Sequence, residues 1–221
     1  MQHENVTTHV LKDEGGRAVW MSHVPGSIPL TFKSWVLTPW FLFKFIIGIA
    51  QPWRHLRGAG RLRRAGIPTP RVAFIRPGWR RRRPVILLVM PYVEGVTALD
   101  HLRIVEGSPA VDLAKQLGRY VSMLAEADLR HRDFKLTNVV IETGTDHPWL
   151  IDPVGVVRDR DRITSLATML DRLDVEIREG HVGELRDVER LRRIILKAAL
   201  VSAPSSVRRA VLQRLRTHPR P

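Results

Sequence analysis

His131-Arg132-Asp133-Phe134-Lys135-Leu136-Thr137-Asn138, continued by Val139-Val140-Ile141, a polar turn and Trp149-Leu150-Ile151-Asp152, is the stretch on which the reading of this chain turns. An acid and an amide stand five positions apart in a loop. The two apolar runs that follow read as a hairpin that brings a second acid back beside them. Phosphoryl transfer calls for such a set. Asp133 would accept or orient the proton of an attacking hydroxyl, while Asn138 and Asp152 would hold magnesium against phosphates. Lys135, two residues past the acid, can reach the transferred phosphoryl group. His131 reads as a residue that holds the loop rather than one that donates a proton.

Working outward, the N-terminal half reads as strands. Residues 8–35 alternate short apolar runs with the turn signals Glu14-Gly15-Gly16 and Pro25-Gly26-Ser27, which predicts three short antiparallel strands, the third over Ile28–Trp35. Strands resume over Val72–Ile75 and Val85–Met90, with Arg80-Arg81-Arg82-Arg83 as a charged hairpin loop between them. A helix is expected from Trp53 to Ala65, stopped at Gly66 because Pro68 and Pro70 cannot continue it. The C-terminal half reads as helices over Ala110–Ala127, Asp161–Asp174, Val182–Leu200 and Ser205–Arg216. Tyr92–Thr97, broken at Gly95, reads as the linker between the halves.

The stretch from Trp35 to Ala50, WVLTPWFLFKFIIGIA, is the most hydrophobic of the chain. It is shorter than the roughly 18 to 20 apolar residues of a bilayer span and contains Lys44. Two readings stand: a helix buried in the core, or a segment in a membrane interface, where Trp35, Trp40 and Trp53 suit the headgroup level and nearby arginines would meet anionic lipid.

Charge is distributed unevenly over the 221 residues. The formal net charge is +14. No Asp or Glu lies between Glu14 and Glu94, where fourteen of the 36 Lys and Arg are found, so the remaining 22 face 22 acids elsewhere. A one-signed segment of that length points to an anionic surface as partner. No zinc-finger spacing and no aromatic RNA-binding signature supports nucleic acid in that role. The absence of cysteine excludes a disulfide framework and thiolate metal sites and agrees with a reducing compartment. Met1–Val10 lacks the basic start and apolar run of a secretory signal, so a cytoplasmic location is expected, peripheral at the inner face of the membrane.

His131 to Asn138 resembles the catalytic loop of protein kinases, H-R-D-x-x-x-x-N, and Leu150-Ile151-Asp152-Pro153-Val154-Gly155 resembles their metal-binding D-F-G segment. Pro153 replaces the phenylalanine, Gly155 comes one place late, and no A-P-E follows. With about 69 residues after Asp152, a peptide-substrate platform is not expected, which directs attention to a non-protein acceptor. Within the kinase-like folds the chain is similar to the lipopolysaccharide kinase family, the Kdo and heptose kinases. The residues that carry this are Leu62-Arg63-Arg64-Ala65-Gly66-Ile67-Pro68-Thr69-Pro70, the hinge-like Met90-Pro91-Tyr92-Val93-Glu94-Gly95, and the loop itself. The similarity runs from about Leu11 to Leu173. It implies ATP, Mg2+ and a sugar hydroxyl on a lipid-linked glycan at the cytoplasmic membrane face.

By the same resemblance Lys33 matches the third-strand lysine that reaches the nucleotide phosphates, with Lys44 its rival. Gly15 and Gly16 fall where the nucleotide-covering hairpin belongs, although no G-x-G-x-x-G is present, and Met90, Tyr92 and Glu94 fall at the hinge. Active kinases pair the strand lysine with a helix glutamate, and none exists between Ser34 and Val93. His55 or Gln51 would have to substitute, or phosphate alone would position the lysine. The expectation is therefore an α+β, protein-kinase-like, two-lobed fold with a basic N-lobe over residues 1–91 and a helical C-lobe over 92–221, transferring the γ-phosphoryl group of ATP to a sugar hydroxyl. Alternatives are an atypical small protein kinase or small-molecule phosphotransferase, and a pseudokinase scaffold on an anionic membrane.

Overall fold

Two tight turns, Gly15-Gly16 and Arg81-Arg82, set the frame of the largest sheet. Each has positive φ at both positions, 52° and 82° in the first and 47° and 60° in the second. This mirror-image geometry matches the twist of the strands it joins. At Arg81 and Arg82 it is held without glycine, and Asp13 accepts from Arg80 at 2.6 Å and pairs with Arg81 at 3.1 Å.

The computed structural model describes residues 7–179 and 187–217. In chain order the elements are β1 (Thr7–Glu14), β2 (Arg17–His23), β3 (Leu30–Val36), α1 (Pro39–Ile46), α2 (Gln51–Arg64), β4 (Phe74–Arg80), β5 (Arg83–Pro91), β6 (Gly95–Thr97) and α3 (Ala98–Ile104). Then come α4 (Ser108–Glu126), β7 (Leu129–His131), β8 (Val139–Glu142), β9 (Pro148–Leu150), β10 (Val156–Arg158), α5 (Arg162–Glu179), α6 (Val188–Leu200) and α7 (Ser205–Thr217). Five antiparallel strands form one sheet in the order β1-β2-β3-β5-β4, and β6-β8-β9 and β10-β7 form two small ones. The chain makes two compact units, one of the residues up to Gly60 with Pro70–Val93, the other of Arg61–Thr69 with the residues from Glu94 on.

In the first unit β5 carries an unbroken buried run, Val85 to Met90, because it lies between β3 and β4. β4 is the edge strand, which is why it tolerates Pro77. Trp35, Val72, Leu88 and Met90 make the local core, with Phe41 and Ile75 packed against it. The expected loop of four arginines closes to the two-residue turn, since Arg80 pairs with Arg83 in register. The apolar stretch before Ala50 is not one helix. Thr38 caps α1 by accepting from Phe41 N–H at 3.1 Å, Pro39 takes the first helical position, and Gly48 at φ 77° ends the segment.

The second unit is built around α4, whose stripe Leu113, Leu117, Val121 and Leu124 is almost wholly buried. Each such leucine removed from water is worth about 1.5–3 kcal/mol. Gly118 lets α6 approach: a Cβ there would stand 2.5 Å from Ile195 O. α5 runs on to Glu179, past the expected end at Asp174, and α6 begins at Val188, with 182–186 of the expected helix lying outside the described residues.

The chain passes from the first unit to the second between Val93 and Glu94, inside the expected linker Tyr92–Thr97, but the reading of Gly95 as a break requires correction. Glu94 C=O accepts from Thr143 N–H at 2.9 Å, and Gly95–Thr97 pairs with β8. Gly95 marks a close approach of strands rather than a break, since a Cβ there would lie 1.9 Å from Ile141 O. α3, which the sequence reading did not foresee, starts directly afterwards, capped by Thr97 Oγ1 on Asp100 N–H.

Candidate active site

β7 ends on His131, which is fully buried and sets the loop that follows. Its Nδ1 accepts from the Asp133 N–H at 3.2 Å, so in the neutral ring the proton sits on Nε2, which donates to Asp152 C=O at 2.9 Å. Burial pushes the imidazole below its ordinary range, with the Asp152 carbonyl and the charges of Asp152 and Asp133 partly opposing. One neutral ring thus fixes the backbone at both candidate acids. Gly155 keeps this geometry open, because a Cβ there would meet His131 Nδ1 and Cε1 at 3.2 Å.

The side chains at the other end of the loop complete the tie. Asn138 Nδ2 donates to Asp133 C=O at 2.9 Å, and Ile151 N–H donates to Asn138 C=O at 2.9 Å. The β8–β9 hairpin, with Val139 opposite Leu150, makes the second of these bonds possible. Lys135 Nζ lies 3.0 Å from Asp133 Oδ1, both side chains being about half exposed. Asp133, Lys135, Asn138 and Asp152 are therefore joined by one continuous set of bonds through His131 and the hairpin.

Two supports were not legible beforehand. Glu176 on α5 accepts from Leu136 N–H and from Thr137 Oγ1, the latter at 2.6 Å, and so braces the turn before Asn138. Its signal in the sequence was an acid set against the buried stripe Leu166, Met169, Leu173 and Ile177. Arg61 Nη1 donates to Val156 C=O at 2.9 Å and steadies the chain after Gly155.

Among the described residues no three His, Asp or Glu side chains gather as an all-protein metal site. One amide and one carboxylate nevertheless suit magnesium, which prefers oxygen and retains water and phosphate ligands. With Nδ2 committed to Asp133, the atom Asn138 offers is its Oδ1.

The remaining candidates lie mostly in the first unit. Lys33 sits in the middle of β3, opposite Val19 and Leu88. His55 on α2 is fully buried and close enough to feel its charge: burial first, and Lys33 second, hold the imidazole well below its ordinary range. A neutral His55 thus stands near Lys33. Gln51 Oε1 accepts from Trp35 Nε1 at 2.7 Å. Lys44 lies over the Trp40 ring, 4.7 Å from its centroid. Gly15 and Gly16 form the β1–β2 turn, Met90 is packed in the core, and Tyr92 N–H donates to Pro29 C=O at 2.8 Å. Glu94 belongs to the second unit through its bond from Thr143.

No family model matches the chain, and no curated protein does. Of the solved structures, 1857 chains match. One, described as WaaP in complex with acyl carrier protein, is similar over 97% of this chain and 90% of its own, with a TM-score of 0.57 and 15% identity. This likeness shows the fold, an α+β protein-kinase-like one with an antiparallel five-stranded sheet.

Proposed function

We propose that the chain is an ATP-dependent kinase that transfers the γ-phosphoryl group to a hydroxyl of a sugar, in lipopolysaccharide core or another lipid-linked glycan at a membrane surface. The observation that carries this reading is the bonding of the loop: Asp133 is held at its N–H by His131 and at its C=O by Asn138, and the same His131 ring holds Asp152. A site whose only task were structural would not need an acid, an amide and a second acid kept in register.

In this mechanism Asp133 orients the acceptor hydroxyl and takes its proton as the oxygen attacks. Lys135, beside Asp133, stabilises the charge of the transferred group, and Lys33 holds the α- and β-phosphates. Asn138 and Asp152 would hold magnesium, which when bound neutralises phosphate charge. Most of the rate enhancement would come from this fixed electrostatic arrangement, as the reaction needs little covalent assistance. The sugar acceptor rests on the resemblance of Leu62–Pro70, Met90–Gly95 and the loop to the lipopolysaccharide kinases.

A second reading, a pseudokinase that binds nucleotide without turning it over, is favoured by one feature: α2 offers His55 rather than an acid near Lys33. ATP turnover with magnesium, with and without a lipid-linked glycan extract, separates the two. Acceptor-stimulated turnover abolished by both Asp133→Ala and Asp152→Ala supports the kinase. Nucleotide binding by folded protein with no turnover in the presence of acceptor supports the pseudokinase.

A further inference from the structure

α1 is the most apolar of the described helices, yet none of its residues is buried. Its inner side is anchored: Phe41 packs on the first-unit core, the Phe45 ring lies tilted against Trp53 with centroids 5.2 Å apart, and Phe45 C=O accepts from the Trp53 Nε1–H at 2.8 Å. The outer side is uncovered. Trp40 is 62% exposed, Phe43 52%, Ile46 73%, Ile47 49% and Ile49 52%. With Leu42, six large apolar side chains open to water on one short segment are far from the scattered single exposures of an ordinary surface.

Beside this patch lies a cleft of about 530 Å³, lined by Arg17, Lys44, Arg54 and Arg83 as well as by Trp40 and Phe41. The patch and the cations are thus parts of one surface. It continues along the β4–β5 hairpin, because Leu37 N–H donates to Pro84 C=O just before α1, and that hairpin carries Trp79, 76% exposed, and the turn arginines. Asp13 pairs with Arg80 and Arg81, and no further acid occurs between Glu14 and Glu94.

We propose that α1, the residues to Ile49 and the adjoining cationic cleft form a membrane-docking surface, on which α1 lies flat in the headgroup region of an anionic bilayer while the cleft takes a lipid phosphate. An eight-residue helix is about 12 Å long, and no described helix is long and apolar enough to cross a membrane. Lying in the interface is the arrangement that removes Trp40, Phe43 and Ile46 from water while leaving the arginines at the phosphate level. Charge complementarity decides the occupant: each Lys or Arg near an anionic surface strengthens binding by about fivefold, the equivalent of about 1 kcal/mol. A neutral apolar partner would make no use of the positive charge of Arg17, Lys44 and Arg83.

The surface rests on the proposed function only in that both bring the chain to a membrane. Binding needs no turnover, so the two ideas fail separately. The test is sedimentation of the full chain with vesicles of phosphatidylcholine alone or with 30 mol% phosphatidylglycerol (about one lipid in three, enough for a strongly negative surface), without nucleotide. Binding to the anionic vesicles alone is expected, weakened roughly tenfold by Ile46→Asp and by Phe43→Ser, and about fivefold by Arg83→Gln. Because these side chains are not in the core, circular dichroism should show folded variants.

Equal binding to both vesicle types, or variants that bind like the wild type, would overturn the proposal. So would a concentration-dependent dimer dissolved by Ile46→Asp, which would assign the face to a second copy. Release of bound protein by Mg-ATP at constant ionic strength would assign the cleft to nucleotide and likewise overturn it. Inorganic phosphate at matched ionic strength should not release the protein, since the apolar contacts would remain.

Discussion

Asp133 is held through its backbone from two sides, which leaves its carboxylate to Lys135. Because the same loop depends on Glu176, Glu176→Ala should strand Leu136 N–H and cost about 1–3 kcal/mol. Thermal unfolding would show the loss, with lower turnover in the kinase assay; Glu176→Gln, which keeps an acceptor oxygen, should restore much of both. The two buried histidines give a pH dependence of definite sign. Burial, helped at His55 by Lys33 and opposed at His131 by the Asp152 carbonyl, sets both below the ordinary histidine value. As pH falls below about 6.5 the unfolded chain takes up these protons first. Stability is therefore lost on acidification from that value toward the depressed folded values, by about 1.4 kcal/mol per pH unit for each site. Denaturant titrations at pH 7.5 and 5.5 should show it, and His55→Leu should flatten the difference.

At the level of elements, α4 and α6 form the tightest helix pair, and Gly118 is the reason they can. A Cβ there would lie 2.6 Å from Ala198 Cβ as well as 2.5 Å from Ile195 O. Alanine improves helix propensity by about 1 kcal/mol. Overpacking against backbone costs about 1–3 kcal/mol or more. Gly118→Ala should accordingly lower the melting temperature despite the gain in propensity. Gly95→Ala should do worse, since its Cβ would collide with Ile141 O and part β6 from β8 next to the Asn138 segment. α1 shows the opposite case, a cap, a proline and a glycine stop that define a helix whose outer face the rest of the fold does not cover.

Across the whole molecule, burial is distributed very unevenly. Every residue of β1 is exposed, whereas α4 contributes ten buried residues to the core of the second unit. Local opening follows that contrast. Hydrogen exchange should find β1 amides exchanging orders of magnitude faster than those of α4, and comparable protection in both would contradict this ordering. The positive charge is also uneven: the first unit has 12 Lys and Arg against 3 acids, the second 24 against 19. The first unit therefore carries the stronger anion-attracting field, while the second holds the loop read as catalytic.

Much of this was determined by the sequence alone, because it depends on neighbours along the chain. Turn glycines, the alternation of residues 8–35, the apolar stripe of α4 and the spacing from His131 to Asn138 are local patterns, and strands, helices and loop followed them. Where the reading failed, contacts between distant segments prevailed: Gly95 read as a break until Ile141 was beside it, whereas the hairpin loop at Arg80–Arg83 is present and only tightens to a two-residue turn. The tertiary structure alone decided that Glu176 bonds a turn forty residues earlier, that His55 lies within reach of the Lys33 charge, and that α1 is left uncovered rather than buried. The physical reason is that propensity and periodicity act within a few residues, whereas hydrogen bonds and burial between remote segments exist only once packing has brought them together.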